Sequence, residues 1–204
     1  MIGMLQGILA LKKPPFLMID VNGVGYELQA SMTTIYQLPS VGNPIVLQTH
    51  MIVRDDAFLL YGFHDDRERA VFRELIKVSG VGPKLALAIL SGMDVNAFIA
   101  CIEQRDSALL KKLPGVGAKT AERLVVEMQD RLGKNDTIAN KLFSEKLFES
   151  KGEQNQNLVE QDAISALIAL GYKPQEANRA IRRVAEEGAD SETLIRLALK
   201  NLAQ

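Results

Sequence analysis

Residues 1–64 hold short apolar runs separated by polar and turn-forming residues, a pattern typical of β-strands. Asn22-Gly23 separates two such runs and predicts a tight hairpin turn. Ser31 is placed to cap a short helix that ends near Leu38, before Pro39. Five runs are rich in strand-forming residues, and they are predicted as strands: residues 8–11, 16–21, 25–30, 45–54 and 58–61.

Five strands with a helix between the third and the fourth follow the order of an OB-fold β-barrel, which we predict for residues 1–64. From Asp65 the apolar period becomes helical, with acidic residues near the start of the first helix. The helical pattern, with short Gly/Pro interruptions, runs to about Gly133, and we expect a helical domain over residues 65–140.

The last third of the chain predicts a linker and a small helical domain. Residues 149–157 hold no aromatic or β-branched residue, and we expect a flexible linker over residues 141–157. Residues 158–204 predict a three-helix bundle, in which Ser191 is a plausible cap of the last helix. The segment Leu170-Gly171-Tyr172-Lys173-Pro174 is typical of one helix ending and the next beginning. The predicted fold class is therefore a multi-domain α+β protein.

The helical domain contains an internal repeat, offset by 35 residues. Residues 78–86 read VSGVGPKLA and residues 113–121 read LPGVGAKTA. Each copy ends a helix, turns through Gly-Val-Gly and opens the next helix with Lys and then Ala. This is the helix-hairpin-helix pattern, and the chain has it twice.

The pattern is suited to binding a phosphate. Glycines allow backbone N–H groups to approach an oxygen, and the start of the following helix favours an anion. The valine between them fills the hairpin core, and the lysine adds a full charge. Contacts of this kind fix position on DNA without reading its bases. The candidate phosphate-binding residues are Gly80, Val81, Gly82, Lys84, Gly115, Val116, Gly117, Lys119, Thr120 and Arg123.

The glycine turns have two other interpretations. A single Gly-Val-Gly can be only a tight turn between helices, but two copies in register, both followed by Lys and Ala, make that less favoured. A nucleotide-binding P-loop needs Gly at the positions of Ala118 and Leu113, so ATP binding by that route is not expected.

Charge and composition narrow the class of protein only slightly. The net charge is −1, but residues 65–134 carry twelve basic and ten acidic residues and form the only net-positive third. Hydrophobic residues make up 47% and charged residues 24%, as in a globular protein. The single cysteine, Cys101, excludes an internal disulfide and a multi-cysteine zinc cage. Without a signal peptide or membrane-spanning run, we expect a cytoplasmic protein and no membrane contact.

The order of these parts resembles the RuvA family over essentially the whole chain. The resemblance depends on residues 53–63 (VRDDAFLLYGF), residues 81–92 (VGPKLALAILSG), residues 113–124 (LPGVGAKTAERL) and residues 169–173 (ALGYK). It implies a non-catalytic subunit that binds four-way (Holliday) DNA junctions in recombination and repair, including the SOS response to DNA damage.

The resemblance also implies partners and further site residues. It implies a homotetramer with fourfold symmetry, one or two of which hold the junction, with a RuvB AAA+ ATPase as motor and a RuvC resolvase as a further partner. It places an acidic pin at Asp55 and Asp56, where repulsion of phosphates would guide strand separation. An Asp-Asp pair is otherwise typical of a solvated turn, and Arg54 beside it either contacts DNA or neutralises one Asp. Candidate docking residues for the motor are Leu167, Leu170, Gly171 and Tyr172.

Two other functions stay open from the sequence. A base-excision glycosylase or nuclease would need a catalytic Lys or Asp beside a base pocket, or a metal cluster. Glu127 and Asp130 are expected on a helix surface, and His50 and His64 are too isolated to form a metal site. No catalytic residue, metal or cofactor is therefore expected. The other alternative is a scaffold protein whose hairpins only join helices.

Overall fold

The computed structural model describes residues 1–134, 155–184 and 190–202. The chain divides into two compact units, Met1–Ala139 and Asn140–Gln204. The predicted linker over residues 141–157 lies mostly outside the described residues. Its last three residues are helical, because a helix begins at Asn155. The boundaries proposed at residues 64, 140 and 157 stay predictions.

The N-terminal residues form a closed five-stranded barrel with the strand order β1-β2-β3-β5-β4. The pairing of β3 with β5 is parallel, and the other four pairings are antiparallel. Helix α1 (Met32–Gln37) lies between β3 and β4, which confirms the predicted OB-fold order. The strands are β1 (Met4–Lys13), β2 (Phe16–Val21), β3 (Val24–Ala30), β4 (Pro44–Val53) and β5 (Phe58–Phe63).

The local sequence explains the hairpin turn between β2 and β3 and the start of helix α1. Asn22 and Gly23 both have positive φ, 52° and 88°, as the hairpin between β2 and β3 requires. The Ser31 side chain accepts a hydrogen bond from the Thr34 backbone N–H at 3.0 Å, so Ser31 is the predicted cap of α1. Alternate strand residues point inward and form the barrel core: Leu5, Leu9, Leu17, Ile19, Leu28, Ala30, Ile45 and Leu47.

The helical segment follows directly, and acidic residues cap three of its helices. Asp65, Asp94 and Asp106 each accept a hydrogen bond from the backbone N–H three residues on. These bonds fix where α2, α4 and α5 begin. The helices are α2 (Asp66–Leu75), α3 (Pro83–Gly92), α4 (Val95–Glu103), α5 (Ser107–Lys111) and α6 (Ala118–Lys134).

A buried carboxylate joins the barrel to the helical segment. The hydroxyls of Ser31 and Thr34, both fully buried, donate to the two oxygens of Glu68 on α2. Burial raises the pKa of Glu68, while the two hydroxyls oppose that rise. Close by, the ring of Phe72 packs on Tyr61 and Phe63, with centroids 5.1 and 4.9 Å away. Helix α2, which opens the first helix-hairpin-helix motif, is thus held firmly against the barrel.

The second unit contains helices α7 (Asn155–Ala169), α8 (Pro174–Val184) and α9 (Ser191–Leu202). Gly171 has a φ of 99°, and the Tyr172 N–H donates to the Leu167 carbonyl at 3.1 Å. This is the glycine-based helix end that the sequence predicts. The prediction for Ser191 is wrong, because Asp190 accepts the capping bond from the Thr193 N–H at 3.0 Å.

Within the described ranges, no single helix is long and apolar enough to cross a membrane. Helices α3 and α4 satisfy that test only when taken together, and they are bent by 96° at the break between them.

Candidate nucleic-acid interface

The first glycine turn lies between α2 and α3. Gly80 has a φ of 86°, which favours glycine, and the Val81 N–H donates to the Val78 carbonyl at 3.0 Å. Gly82 is the N-cap of α3 in an extended conformation, and the Ala86 N–H donates to its carbonyl at 3.0 Å. No side chain caps this helix. Its first N–H groups are therefore left for a ligand or for water.

The second turn, between α5 and α6, repeats this geometry 35 residues later. Gly115 has a φ of 81°, and the Val116 N–H donates to the Leu113 carbonyl at 3.1 Å. The Ala121 N–H donates to the Gly117 carbonyl at 2.9 Å. Val116 is buried, as Val81 is in the first turn. The repeat in sequence is therefore a repeat in backbone hydrogen bonding.

The two glycines that open the following helices face open space. A Cβ added at Gly82 or at Gly117 would meet no heavy atom within 4 Å. The glycines at both positions are exposed. An anion can therefore approach the start of α3 and of α6 without displacing protein.

The predicted cations differ in what they contact. Lys84 and Lys119 are exposed, and neither pairs with a carboxylate among the residues that the structure describes. The Nη1 atom of Arg123 instead donates to the carbonyl and to the hydroxyl of Ser79, each at 3.1 Å. Thr120 is half-buried at the start of α6. The structure therefore supports the two lysines as free cations and gives Arg123 a structural bond as well.

The two turns lie against each other. Arg123, on α6, reaches the Gly80 turn, where its Nη1 would lie 3.8 Å from a Cβ at Gly80. A side-chain carbon of Leu85, on α3, would lie 3.2 Å from a Cβ at Gly115. Both helix starts therefore belong to one neighbourhood, from which two points of a DNA backbone can be bound.

The predicted acidic pin lies in the loop between β4 and β5. Asp55 and Asp56 are both exposed, and the Arg54 N–H donates to the Ala57 carbonyl at 2.9 Å to close the loop. Arg54 and Asp56 also line a cleft whose opposite wall includes Lys84. The structure therefore brings the acidic loop and the first hairpin together, which the sequence places 30 residues apart.

The residues that were considered for catalysis lie on helix α6, on strand β4 or just after strand β5. Arg131 pairs with Glu127 at 3.7 Å, and Asp130 is exposed on the same helix. His50 lies on β4, where its Nδ1 accepts a hydrogen bond from Arg73 at 3.3 Å; His64 lies just after β5. Among the described residues, no group of three or more His, Cys, Asp or Glu is placed to hold a metal ion.

The candidate docking residues of the second unit separate into core and surface. Leu167 is fully buried in the core of that unit, so the interpretation of Leu167 as a docking residue is wrong. Tyr172 packs at the edge of the same core. Leu170 is 63% exposed and lies beside the exposed Gly171. Leu170 and Gly171 are therefore the most exposed of the four candidates, and Tyr172 is half-buried.

Sequence reasoning missed three residues of this neighbourhood. Ser79 accepts a hydrogen bond from Arg123. Its counterpart in the second repeat is proline, and this difference between the two copies could have pointed to Ser79 from the sequence. Gln29 and Tyr61 line the cleft beside Lys84. They meet there only because β3 and β5 pair in parallel, and no local sequence signal predicts that pairing.

Three family models match successive parts of the chain. The model described as the RuvA N terminal domain matches residues 1–62. A SAM-like helix-hairpin-helix tandem matches residues 72–130, which include both glycine turns. The model described as the RuvA C-terminal domain matches residues 158–203.

Curated relatives match over nearly the full length. A protein of Pseudomonas paraeruginosa (strain DSM 24068 / PA7) is 52% identical over 202 residues, covering 99% of this chain and all of the relative. One of Yersinia enterocolitica serotype O:8 / biotype 1B is 55% identical, covering 98% of each chain. One of Pseudomonas fluorescens (strain Pf0-1) is 54% identical, covering 99% of this chain. All three are named Holliday junction branch migration complex subunit RuvA. With this identity along its whole length and both RuvA family models matched, the chain belongs to the RuvA family.

Proposed function

We propose that this protein binds four-way (Holliday) DNA junctions without reading base sequence, as the non-catalytic subunit of a branch-migration complex in recombination and repair. The observation that carries the proposal is the pair of glycine turns with the same hydrogen bonds, each opening a helix toward free space. The full-length relatives are named as subunits of such a complex.

Each turn binds one phosphate through the backbone. The N–H groups at the start of α3 and α6 point outward from helix N-termini, where the helix dipole favours negative charge. Lys84 and Lys119 add one full positive charge beside each turn. Because backbone amides and lysines contact phosphate oxygens and no base edge, the affinity does not depend on sequence.

Self-association into a tetramer is supported by the outer face of the barrel. Met4 and Ile8 on β1 are 52% and 42% exposed, and Val46 on the neighbouring β4 is 46% exposed. The pairing of Gln6 with Val46 places these side chains close together. Exposed apolar side chains grouped on one face in this way suit an association site. One tetramer, or two on opposite faces, then presents the hairpins of several subunits to the arms of the junction.

Asp55 and Asp56 act as the acidic pin in this assembly. Their carboxylates are exposed at a loop tip beside the first hairpin, so they repel phosphates near the bound strand. Arg54, in the same loop, provides a cation for the backbone that the pin diverts.

The second unit recruits the motor, a RuvB-type AAA+ ATPase, and the complex is completed by a RuvC-type resolvase. Leu170, just after the end of α7, is 63% exposed, and Ile168 in the last turn of α7 is 39% exposed. We assign the docking surface to this region, with Leu170 and Gly171 at its centre.

The proposal is tested by titrating wild-type protein and a Lys84→Ala/Lys119→Ala variant with a four-way junction and with a linear duplex of the same sequence. The wild type is expected to prefer the junction. The variant is expected to bind more weakly, and its log–log salt slope should fall by about 0.9 for each phosphate that is no longer neutralised.

Lys200→Ala, which removes an exposed lysine from α9 in the second unit, is the matched control and should bind as the wild type does. Unchanged affinity and salt slope in the double variant would remove the phosphate-binding role of the hairpins. Equal affinity of the wild type for junction and duplex would remove the junction-binding proposal.

A further inference from the structure

The cleft between the barrel and the first hairpin has a volume of about 570 Å³. Its floor is formed by residues of β3 and β5, including Gln29 and Tyr61. One wall is the β4–β5 loop with Arg54 and Asp56, and the other is the start of α3 with Gly82 and Lys84. We call it the barrel–hairpin cleft. Its volume falls within the roughly 300–1,000 Å³ of sites that hold small organic ligands.

The floor carries polar groups without a protein partner. Gln29 and Tyr61 are direct partners in the β3–β5 ladder, so both lie on the outer face of the barrel, opposite the buried Leu28. Tyr61 is only 2% exposed, yet its hydroxyl forms no hydrogen bond with any other described residue and is not enclosed. Burial raises the pKa of Tyr61, so the hydroxyl stays a neutral donor. An almost completely buried phenol thus turns its polar end into the cleft.

The walls differ in charge. Gly82 and Lys84 offer backbone N–H groups and an ammonium, which suit a phosphate. On the opposite wall Asp56 stands beside Arg54, so that wall carries no net charge, whereas the hairpin wall carries the positive charge of Lys84. A ligand with one phosphate is therefore oriented, with the phosphate at the hairpin and the rest of the molecule over the floor.

We propose that the barrel–hairpin cleft holds one unpaired nucleotide of the DNA strand whose phosphate the first hairpin binds. This inference rests on the junction-binding proposal above and names what the protein does with the strand beside the pin. A base inside a duplex cannot reach the floor, because its hydrogen-bonding edge is paired and its neighbours stack on both faces. A base released at the point where strands exchange has neither restraint.

The floor accepts any of the four bases. The Gln29 amide presents both a donor and an acceptor, and the Tyr61 hydroxyl presents both as well. Every base edge has at least one group that can pair with such a surface. The half-buried Leu59 supplies apolar contact for the ring. The cleft therefore distinguishes an unpaired nucleotide from a paired one, but does not distinguish one base from another.

The test compares two four-way junctions that differ at the crossover, one with a single unpaired thymidine and one with an abasic residue in its place. The full-length wild type is expected to bind the thymidine junction more tightly. In a Gln29→Ala/Tyr61→Phe variant this preference should shrink by about fivefold for each hydrogen bond removed. Affinity for the abasic junction should stay close to the wild-type value.

Tyr26→Phe is the matched control, because it removes a hydroxyl from β3, the strand that carries Gln29, but from a side chain packed against the barrel core. Tyr61→Phe keeps the ring that packs on Phe72, so the fold is retained, and thermal unfolding checks this. A preference equal to that of the wild type in the double variant, or none in the wild type, overturns the cleft proposal. Junction binding itself is measured separately by the preference for the abasic junction over a linear duplex.

Discussion

Gly80 and Gly82 are two residues apart, but glycine is needed at each for a different reason. Gly80 has a φ of 86°, in the left-handed region, where a side chain costs roughly 1–2 kcal/mol. Gly82 has a φ of −88°, which any residue adopts, and open space where a Cβ would stand. The first glycine shapes the turn, and the second leaves room for the ligand.

We therefore predict that Gly82→Ala mainly weakens junction binding and that Gly80→Ala mainly lowers stability. Gly82→Ala should lower the free energy of unfolding by only about 0.5 kcal/mol, because alanine is a poorer N-cap, while it weakens junction binding by standing in the path of the phosphate. Gly80→Ala should cost more stability. Chemical denaturation with junction titration separates the two effects, and a Gly82→Ala protein with full affinity would contradict the assigned phosphate position.

Glu68 gives the fold a pH dependence whose sign is fixed by burial. Burial raises the pKa of Glu68 above its ordinary value of 4.5, against the opposing hydrogen bonds of Ser31 and Thr34. The stability it contributes is therefore fully present below pH 4.5 and is lost as the pH rises through the folded-state pKa. Each unit of that rise is worth about 1.4 kcal/mol.

Glu68→Gln removes this titration and keeps an acceptor for the hydroxyls. The free energy of unfolding of the variant, relative to wild type, should increase as the pH is raised from about 4 toward about 7. Denaturant unfolding across that range measures it, with the exposed Glu103→Gln as control. A relative stability that does not change with pH would show that Glu68 titrates alike in the folded and unfolded chain.

Among the elements, helix α3 and the second glycine turn are coupled by packing. A Cβ on Gly92, at the end of α3, would meet the Cδ2 of Leu113 at 2.4 Å. Leu113 carries the carbonyl that accepts from Val116, so a shift of Leu113 disturbs the second turn. Over-packing of this kind typically costs about 1–3 kcal/mol.

Gly92→Ala should therefore destabilise the protein, and truncation of the contacting side chain in Gly92→Ala/Leu113→Ala should recover part of the loss caused by the clash. A double-mutant cycle in denaturant measures the coupling. Additive effects of the two changes would mean that the end of α3 does not support the second turn.

The β4–β5 loop carries a prediction about DNA handling. Asp55→Asn with Asp56→Asn removes two charges from an exposed loop, so stability should change little. Junction affinity should stay or rise, because repulsion of phosphates is removed, while motor-driven migration is disturbed. Junction titration beside a strand-exchange assay checks both, and a loss of binding would contradict the role of the acidic pin.

Elements set by local signals could be predicted from sequence, and those set by distant pairing could not. Ser31, Asp65 and the two glycine turns lie where their residue types indicate, because caps and turns depend on a few neighbours. Strand β1 is longer than its apolar run, Ile8–Leu11, because its ladder with β4 extends back to Met4. The cap at Asp190 was missed in favour of the adjacent Ser191.

On the scale of the whole molecule, the two compact units have separate proposed functions, DNA binding in the first and recruitment of the motor in the second. The first, Met1–Ala139, contains the barrel, both hairpins and the cleft. The second, Asn140–Gln204, has a hydrophobic core of its own. In this proposal, DNA binding and recruitment of the motor depend on separate hydrophobic cores.

Deletion of residues 158–204 should leave junction binding close to the full-length value and abolish ATPase-driven branch migration. Junction titration and a migration assay with the motor measure the two separately. A truncated protein that still supports migration would place motor recruitment in the first unit. Leu170→Ala in the full-length chain is the milder variant, because an exposed side chain contributes little to the core.

The parallel ladder between β3 and β5 is much shorter than the other seams of the barrel. It consists of two residue pairs, Gln29 with Tyr61 and Ala30 with Gly62, whereas β2 and β3 share six. Local opening is favoured where the fewest backbone bonds must break, so we expect this seam to open before the other seams of the barrel. The side chains that would contact a released base thus lie at the strand pairing with the fewest residue pairs in the barrel. A DNA strand bound there would either widen this seam or hold it closed.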